Sequence, residues 1–161
     1  MHVKKAIYAG TFDPLTKGHI DLIQRSLKIF DKLIIGVAFA TPKVPLFTFD
    51  ERVEILNDVL KDYDNIEIIG FEGLLVDFAR KTNVNTLIRG LRAVSDFEYE
   101  FQMALMNRNL NKDVETFYLM PNEKYIYLSS SLIKHVIKLG GDVSKLLPET
   151  IINKVKNKLK L

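Results

Sequence analysis

Apolar residues follow two alternating rhythms along this chain. Short, nearly continuous apolar runs occur at Lys5–Ala9, Leu33–Phe39, Ile66–Gly70, Thr86–Ile88 and Thr116–Leu119. Runs of that length predict strands buried on both faces. Between them, apolar residues recur every three or four positions: Ile20, Ile23, Leu27 and Phe30, then Phe49, Val53, Leu56 and Leu60. This spacing gathers them on one face of a helix. Two further helices are predicted over Leu74–Lys81 and Asp96–Leu110. Strand and helix in alternation predict an α/β fold: a doubly wound parallel sheet of five strands, covered on both faces. After the last run, Ile151, Ile152, Val155 and Leu159 form an apolar stripe, with Lys154, Lys156, Lys158 and Lys160 around the rest of the circumference. A C-terminal helix docked by its stripe fits this pattern; a nucleic-acid-binding tail is the alternative.

Composition narrows the class. At 161 residues, the chain suits one domain spanning 1–161 and is too short for two ordinary ones. It has no cysteine, which excludes disulfides, thiolate metal sites and cysteine nucleophiles and suits a cytoplasmic setting. Met1–Lys5 lead into only a short apolar run, so no signal peptide is read, and no stretch approaches the roughly 20 apolar residues of a membrane span. A net charge of +3 favours anionic small molecules without implying nucleic acid.

Three clusters stand at or beyond the carboxyl ends of predicted strands, where open α/β sheets bind ligands. The first is Gly10-Thr11-Phe12-Asp13-Pro14-Leu15-Thr16-Lys17-Gly18-His19, a turn between a strand and a helix. Its amides and the positive helix end would face a phosphate, and His19 is placed to touch one. Alternatively Thr16 simply caps the helix and His19 is an ordinary first-turn residue. The second is Arg89-Gly90-Leu91-Arg92, followed by Asp96, Tyr99 and Glu100. Two arginines flanking a glycine can grip phosphate oxygens, unless they are spent on Asp96 and Glu100. The third is Ser129-Ser130-Ser131 ahead of Leu132-Ile133-Lys134, a helix start with more hydroxyls than one cap requires, which suggests a held anion; a plain capped helix is the alternative. Lys43, after the second strand, is a further candidate cation. Neither a G-x-x-x-x-G-K-[ST] loop nor a G-x-G-x-x-G after the first strand is present.

The first cluster resembles the signature of the nucleotidyltransferases. The run Leu87–Glu100 and the closing serines narrow the resemblance to the bacterial phosphopantetheine adenylyltransferases, over about Lys5 to Pro148. That resemblance implies a Rossmann-like nucleotidyltransferase fold and transfer of the adenylyl group of ATP to 4'-phosphopantetheine, giving dephospho-coenzyme A and pyrophosphate. It implies that Thr11, Lys43, Leu75 and Arg89 hold phosphopantetheine. ATP would be held by Thr11, Phe12, His19, Gly90, Leu91, Arg92, Glu100 and the loop Tyr125, Ile126, Tyr127, Leu128, Ser129, Ser130 and Ser131. His19, Lys43 and Thr11 would carry catalysis. Mg2+ would ride mainly on the nucleotide phosphates, and the assembly would be a homohexamer. No nucleic-acid or membrane partner is expected. Another small nucleotidyltransferase, acting on an acceptor such as nicotinamide mononucleotide, is the alternative within the class; a non-catalytic basic α/β module that binds nucleic acid is the alternative outside it.

Overall fold

The computed structural model describes residues 3–40 and 44–159, with backbone only at 94 and 95. The strands are β1 (Lys5–Gly10), β2 (Lys32–Ala38), β3 (Ile66–Phe71), β4 (Thr86–Gly90) and β5 (Glu115–Leu119). Between and after them run α1 (Lys17–Ser26), α2 (Phe49–Leu60), α3 (Leu75–Thr82), α4 (Val94–Leu110), α5 (Ser130–Lys138) and α6 (Glu149–Lys158). All strand pairs are parallel, in the order β3-β2-β1-β4-β5.

The chain builds outward from β1 in one direction and then returns to build in the other. The switch therefore falls between the carboxyl ends of β1 and β4, at Gly10 and Gly90. Ligands of open α/β sheets bind at such a point because the loops on either side diverge and leave a crevice.

Alternation along β1 sends Ala6 and Tyr8 to one face and Ile7 and Ala9 to the other, all buried. The first face is the larger core, packed by Ile23, Leu56, Ile133 and Val155 from α1, α2, α5 and α6. The second is smaller, closed by Val76, Phe78 and Ala79 of α3. The doubly covered sheet expected from the sequence is thus present.

Two local outcomes refine the sequence reading. Helix α1 stops at Ser26, so Phe30 reaches the core from the turn that follows, its N–H bonded to Ser26 O at 2.9 Å. Ser26 Oγ donates to Leu22 O (2.7 Å), a back-bond that competes with helix continuation. The C-terminal helix docks as its stripe requires, with Ile151 and Val155 buried. Lys154 pairs with Glu54 (3.0 Å) and Asp58 (3.3 Å), and Lys158 with Glu51 (2.7 Å). Such exposed pairs contribute at most about 1 kcal/mol each, against roughly 1.5–3 kcal/mol per buried aliphatic side chain, so the stripe holds α6.

Candidate active site

The turn after β1 fixes His19 through its own helix cap. Thr16 is the N-cap of α1: its Oγ1 accepts from His19 N–H (3.3 Å), and its own N–H donates to His19 Nδ1 (3.0 Å). The capping alternative is therefore correct as local structure. It also has a chemical consequence. A backbone N–H can only donate, so Nδ1 must be an unprotonated acceptor, and the ring proton sits on Nε2. Burial and then the charge of Arg92 hold the His19 pKa down to about 4. The ring is thus a neutral Nε2–H donor at physiological pH. Phe12, buried and at φ +52, packs edge-on against it at 5.3 Å, and Tyr8 backs both from the cavity floor. A non-glycine residue held in the left-handed region stores strain, as residues at functional sites often do.

At the end of β4 both arginines are paired. Arg89 donates from Nε and Nη2 to the two carboxylate oxygens of Glu100 (2.9 and 2.6 Å) and from Nη1 to Ala9 O (3.3 Å). Arg92 bonds Asp96 through Nε (3.1 Å) and Nη2 (3.4 Å) and donates from Nη1 to Leu128 O (2.6 Å). The pairing alternative is realised, yet neither arginine is a solvated surface residue, since both line a cavity. Charge-assisted bonds in this setting set the direction of each guanidinium before a ligand arrives.

The serine cluster divides its labour. Ser129 is the N-cap of α5, accepting from Leu132 N–H (3.1 Å), and Ser130 Oγ donates to Pro14 O (2.8 Å), which bolts α5 to the β1–α1 turn. Ser131 is exposed. What this end of α5 offers an anion is thus mainly backbone N–H and the helix dipole, with hydroxyls largely engaged.

These parts enclose a cavity of about 480 Å³ over the β1–β4 switch. Phe12, His19, Gly90, Arg92, Glu100, Tyr125, Leu128, Ser129 and Ser130 line it, together with Tyr8, Gly18, Asp96 and Tyr99. Of the residues expected to hold ATP, Thr11, Leu91, Ile126, Tyr127 and Ser131 do not line it: Leu91 N–H donates to Leu119 O (3.0 Å), and Ile126, Tyr127 and Ser131 are exposed.

A second cavity, about 420 Å³, adjoins the first and shares Ala9, Gly10, Arg89, Tyr99 and Glu100 with it. Here lie Thr11 and Leu75, beside Leu74, Met103 and Asn107. Three of the four residues expected to hold the second substrate therefore meet in one place; Lys43 lies outside the described residues. Among the described residues no group of three or more His, Asp and Glu side chains is arranged for a metal ion, and no helix is long and apolar enough to cross a membrane.

The sequence reading missed Arg52 altogether and named Asp13 only as part of the turn, without its role behind these walls. Arg52, 1% exposed, donates from Nη1 to Thr11 O (2.9 Å) and Ala38 O (2.8 Å) and from Nη2 to Phe39 O (3.5 Å). Asp13 accepts from Leu46 N–H and Phe47 N–H (both 2.8 Å) and from Lys134 Nζ (2.6 Å). A signal for Arg52 was present: it sits three residues after Phe49 and four before Leu56, on the inward stripe of α2 where a charge is out of place.

The sequence model of the cytidylyltransferase-like family matches residues 7–136, from β1 into α5, and so takes in every residue of both cavities. The phosphopantetheine adenylyltransferase of Caldanaerobacter subterraneus subsp. tengcongensis is 51% identical over 158 residues, covering 98% of this chain and 99% of that one. That of Clostridium botulinum is 50% identical over 159 residues, covering 99% and 100%. The chain belongs to the phosphopantetheine adenylyltransferase family. A third member, from Azoarcus sp., is 50% identical over 154 residues, covering 96% of this chain and 94% of its own. Phosphopantetheine adenylyltransferases from these three sources thus align along nearly the whole chain. A solved structure of a candidate nicotinate-nucleotide adenylyltransferase from Vibrio parahaemolyticus superposes with TM-score 0.71 at 18% identity, covering 98% of this chain and 95% of that one. At that identity the likeness speaks for the fold, which is the Rossmann-like nucleotidyltransferase fold.

Proposed function

We propose that this chain transfers the adenylyl group of ATP to 4'-phosphopantetheine, giving dephospho-coenzyme A and pyrophosphate. The observation that carries this reading is the pair of adjoining cavities at one switch point, with His19 in the first, Thr11 in the second and Arg89–Glu100 between them. One cavity suits the nucleotide, and the apolar lining of the other by Leu74, Leu75 and Met103 suits a pantetheine arm.

The acceptor is a phosphate monoester with a second pKa of about 6, already an anion at neutral pH. One of its oxygens attacks the α-phosphorus in line as the bond to the β-phosphate breaks, and pyrophosphate departs with that electron pair. No general base is needed, so the protein's task is positioning and charge stabilisation. Nε2–H of His19 donates to an α-phosphate oxygen, where charge builds up in the transition state. Arg92 and the first turn of α5 hold the β and γ phosphates, which then share the Arg92 guanidinium with Asp96. Thr11 contacts both substrates, and Lys43 and Arg89 hold the acceptor. Mg2+, held mainly by the nucleotide phosphates, would supply neutralisation of their charge.

The reading extends to a single domain working in the cytoplasm as a homohexamer. Support for assembly comes from α4 and β5, which present Phe97, Phe101, Leu105, Met106 and Phe117 to solvent in the isolated chain.

Gly18 provides a separate check on the nucleotide cavity. Gly18 lines that cavity, and a Cβ placed there meets Thr16 Oγ1 at 3.5 Å, Tyr125 Cβ at 3.6 Å and Leu128 Cβ at 4.0 Å, ordinary contacts with three other lining residues. Gly18→Ala is expected to leave the melting temperature unchanged or raised, since alanine favours a helix, while weakening ATP at least ~10-fold by calorimetry, a loss on the scale of one misplaced contact.

The function itself is tested by pyrophosphate release from ATP, with phosphopantetheine, nicotinamide mononucleotide or RNA added separately. Release only with phosphopantetheine is expected. Silence with phosphopantetheine overturns the reading, and release with nicotinamide mononucleotide alone moves the chain to the other acceptor.

A further inference from the structure

Arg52 is a buried cation that the reaction as described does not use. Its guanidinium carries three carbonyl bonds, from Thr11, Ala38 and Phe39, and lies 5.7 Å from the Phe49 ring. Among the described residues it forms no ion pair; the Asp13 carboxylate acts on it from a distance while bonded to Lys134, and Nε is buried without a partner. Burying a cation without a counter-ion is costly, and a hydrophobic side chain of similar size would often be neutral or better for stability. An arginine kept there calls for a reason other than packing.

Its bonds supply one. Thr11 and Ala38 are both wall residues of the second cavity, one from the end of β1 and the other from the end of β2. Arg52 grips their carbonyls from behind, so the side chain of Thr11 and the backbone leaving β2 are held in one relative position. Asp13 does the complementary job a few residues away, tying the amides of Leu46 and Phe47, just ahead of α2, to the same turn. The cavity-lining arginines, in contrast, are already neutralised by Glu100 and Asp96. Arg52 is therefore a positive charge directly behind the cavity wall at Thr11 with no ion-pair partner of its own, since the one carboxylate that acts on it, Asp13, is bonded to Lys134.

We propose that Arg52 is a positioning residue for the phosphate acceptor: it sets Thr11 against the end of β2 and supplies positive potential through the wall to the acceptor's phosphate. This rests on the acceptor occupying the second cavity, as in the reading above. Arg52 lines neither cavity, but Thr11, whose carbonyl it holds, lines the second and not the first, so the effect should fall mainly on the acceptor although Thr11 also reaches the nucleotide.

The test separates the two substrates. In Arg52→Met, kcat/KM for phosphopantetheine is expected to fall ~100-fold, with the ATP dissociation constant by calorimetry changed less than twofold. Arg52→Lys, which keeps the charge but not the planar fork, should fall only ~10-fold, a partial rescue on the scale typical of single positioning contacts. Melting temperatures are recorded for both, and rates are compared where each variant is fully folded. If Arg52→Met does not fold, Arg52→Lys alone decides by the same split between substrates. Equal weakening of ATP and phosphopantetheine, or Arg52→Lys as impaired as Arg52→Met, overturns the proposal. Wild-type protein inactive with phosphopantetheine would instead overturn the assignment of the acceptor, which is a different result.

Discussion

His19→Ala is expected to lower kcat by ~100-fold or more while changing the ATP dissociation constant only a few-fold. The asymmetry follows from where the hydrogen bond acts. A donor aimed at an α-phosphate oxygen gains most when that oxygen gathers charge, and losing one such donor typically costs 10²–10³ in rate. Pyrophosphate release gives kcat and calorimetry gives the binding constant; equal losses in both would make His19 a plain binding residue. A second readout is the pH profile. The capping bond from Thr16 N–H requires an unprotonated Nδ1 and the pKa is held to about 4, so His19 contributes no titration between pH 5 and 8. Any limb near pH 6 belongs to the acceptor's phosphate and should persist in His19→Asn. The same depressed pKa affects stability. The unfolded chain takes up a proton near pH 6.5 that the folded chain refuses until about 4, so this residue's contribution falls as the pH drops through that window. Urea titrations of His19→Ala should lack that part of the acid loss.

Arg89→Met is expected to damage activity and folding together. Glu100, 8% exposed, would keep a carboxylate that no longer has its two guanidinium bonds. Removing one partner of a buried pair costs about 3–5 kcal/mol, and partial exposure of Arg89 reduces this to about 2–3 kcal/mol. Because the pair stands between both cavities, kcat/KM for phosphopantetheine should also fall ~100-fold, as expected when a bidentate clamp is lost. Adding Glu100→Gln to Arg89→Met should recover much of the stability and none of the activity. Recovery of both would reduce the pair to scaffold.

How far the site was legible in the sequence differs between its parts. The ten-residue turn, the Arg89–Arg92 stretch and the serines were visible because their residue types are unusual at a strand end. Their bonding was not. Whether Arg92 is free or held by Asp96 depends on a rotamer choice that spacing permits either way, and Ser130 serves Pro14 because α5 happens to lie over the turn. Ile126 and Tyr127 belong to the loop that the family resemblance assigns to ATP, and in the isolated chain they follow a short 3-10 turn at Glu123–Tyr125 and are exposed, a placement that spacing does not encode.

Periodicity and strand-end chemistry by themselves determined the alternating α/β order, the stripe that docks α6 and the phosphate-facing character of the β1–α1 turn, because these are local patterns that any compact packing must respect. Only the tertiary structure decided that the sheet reverses its direction of growth between β1 and β4, that two cavities rather than one open there, and that Arg52 braces their wall. Strand order brings residues 11, 38 and 52 together across the sheet, and no local pattern encodes a contact whose partners are so far apart along the chain.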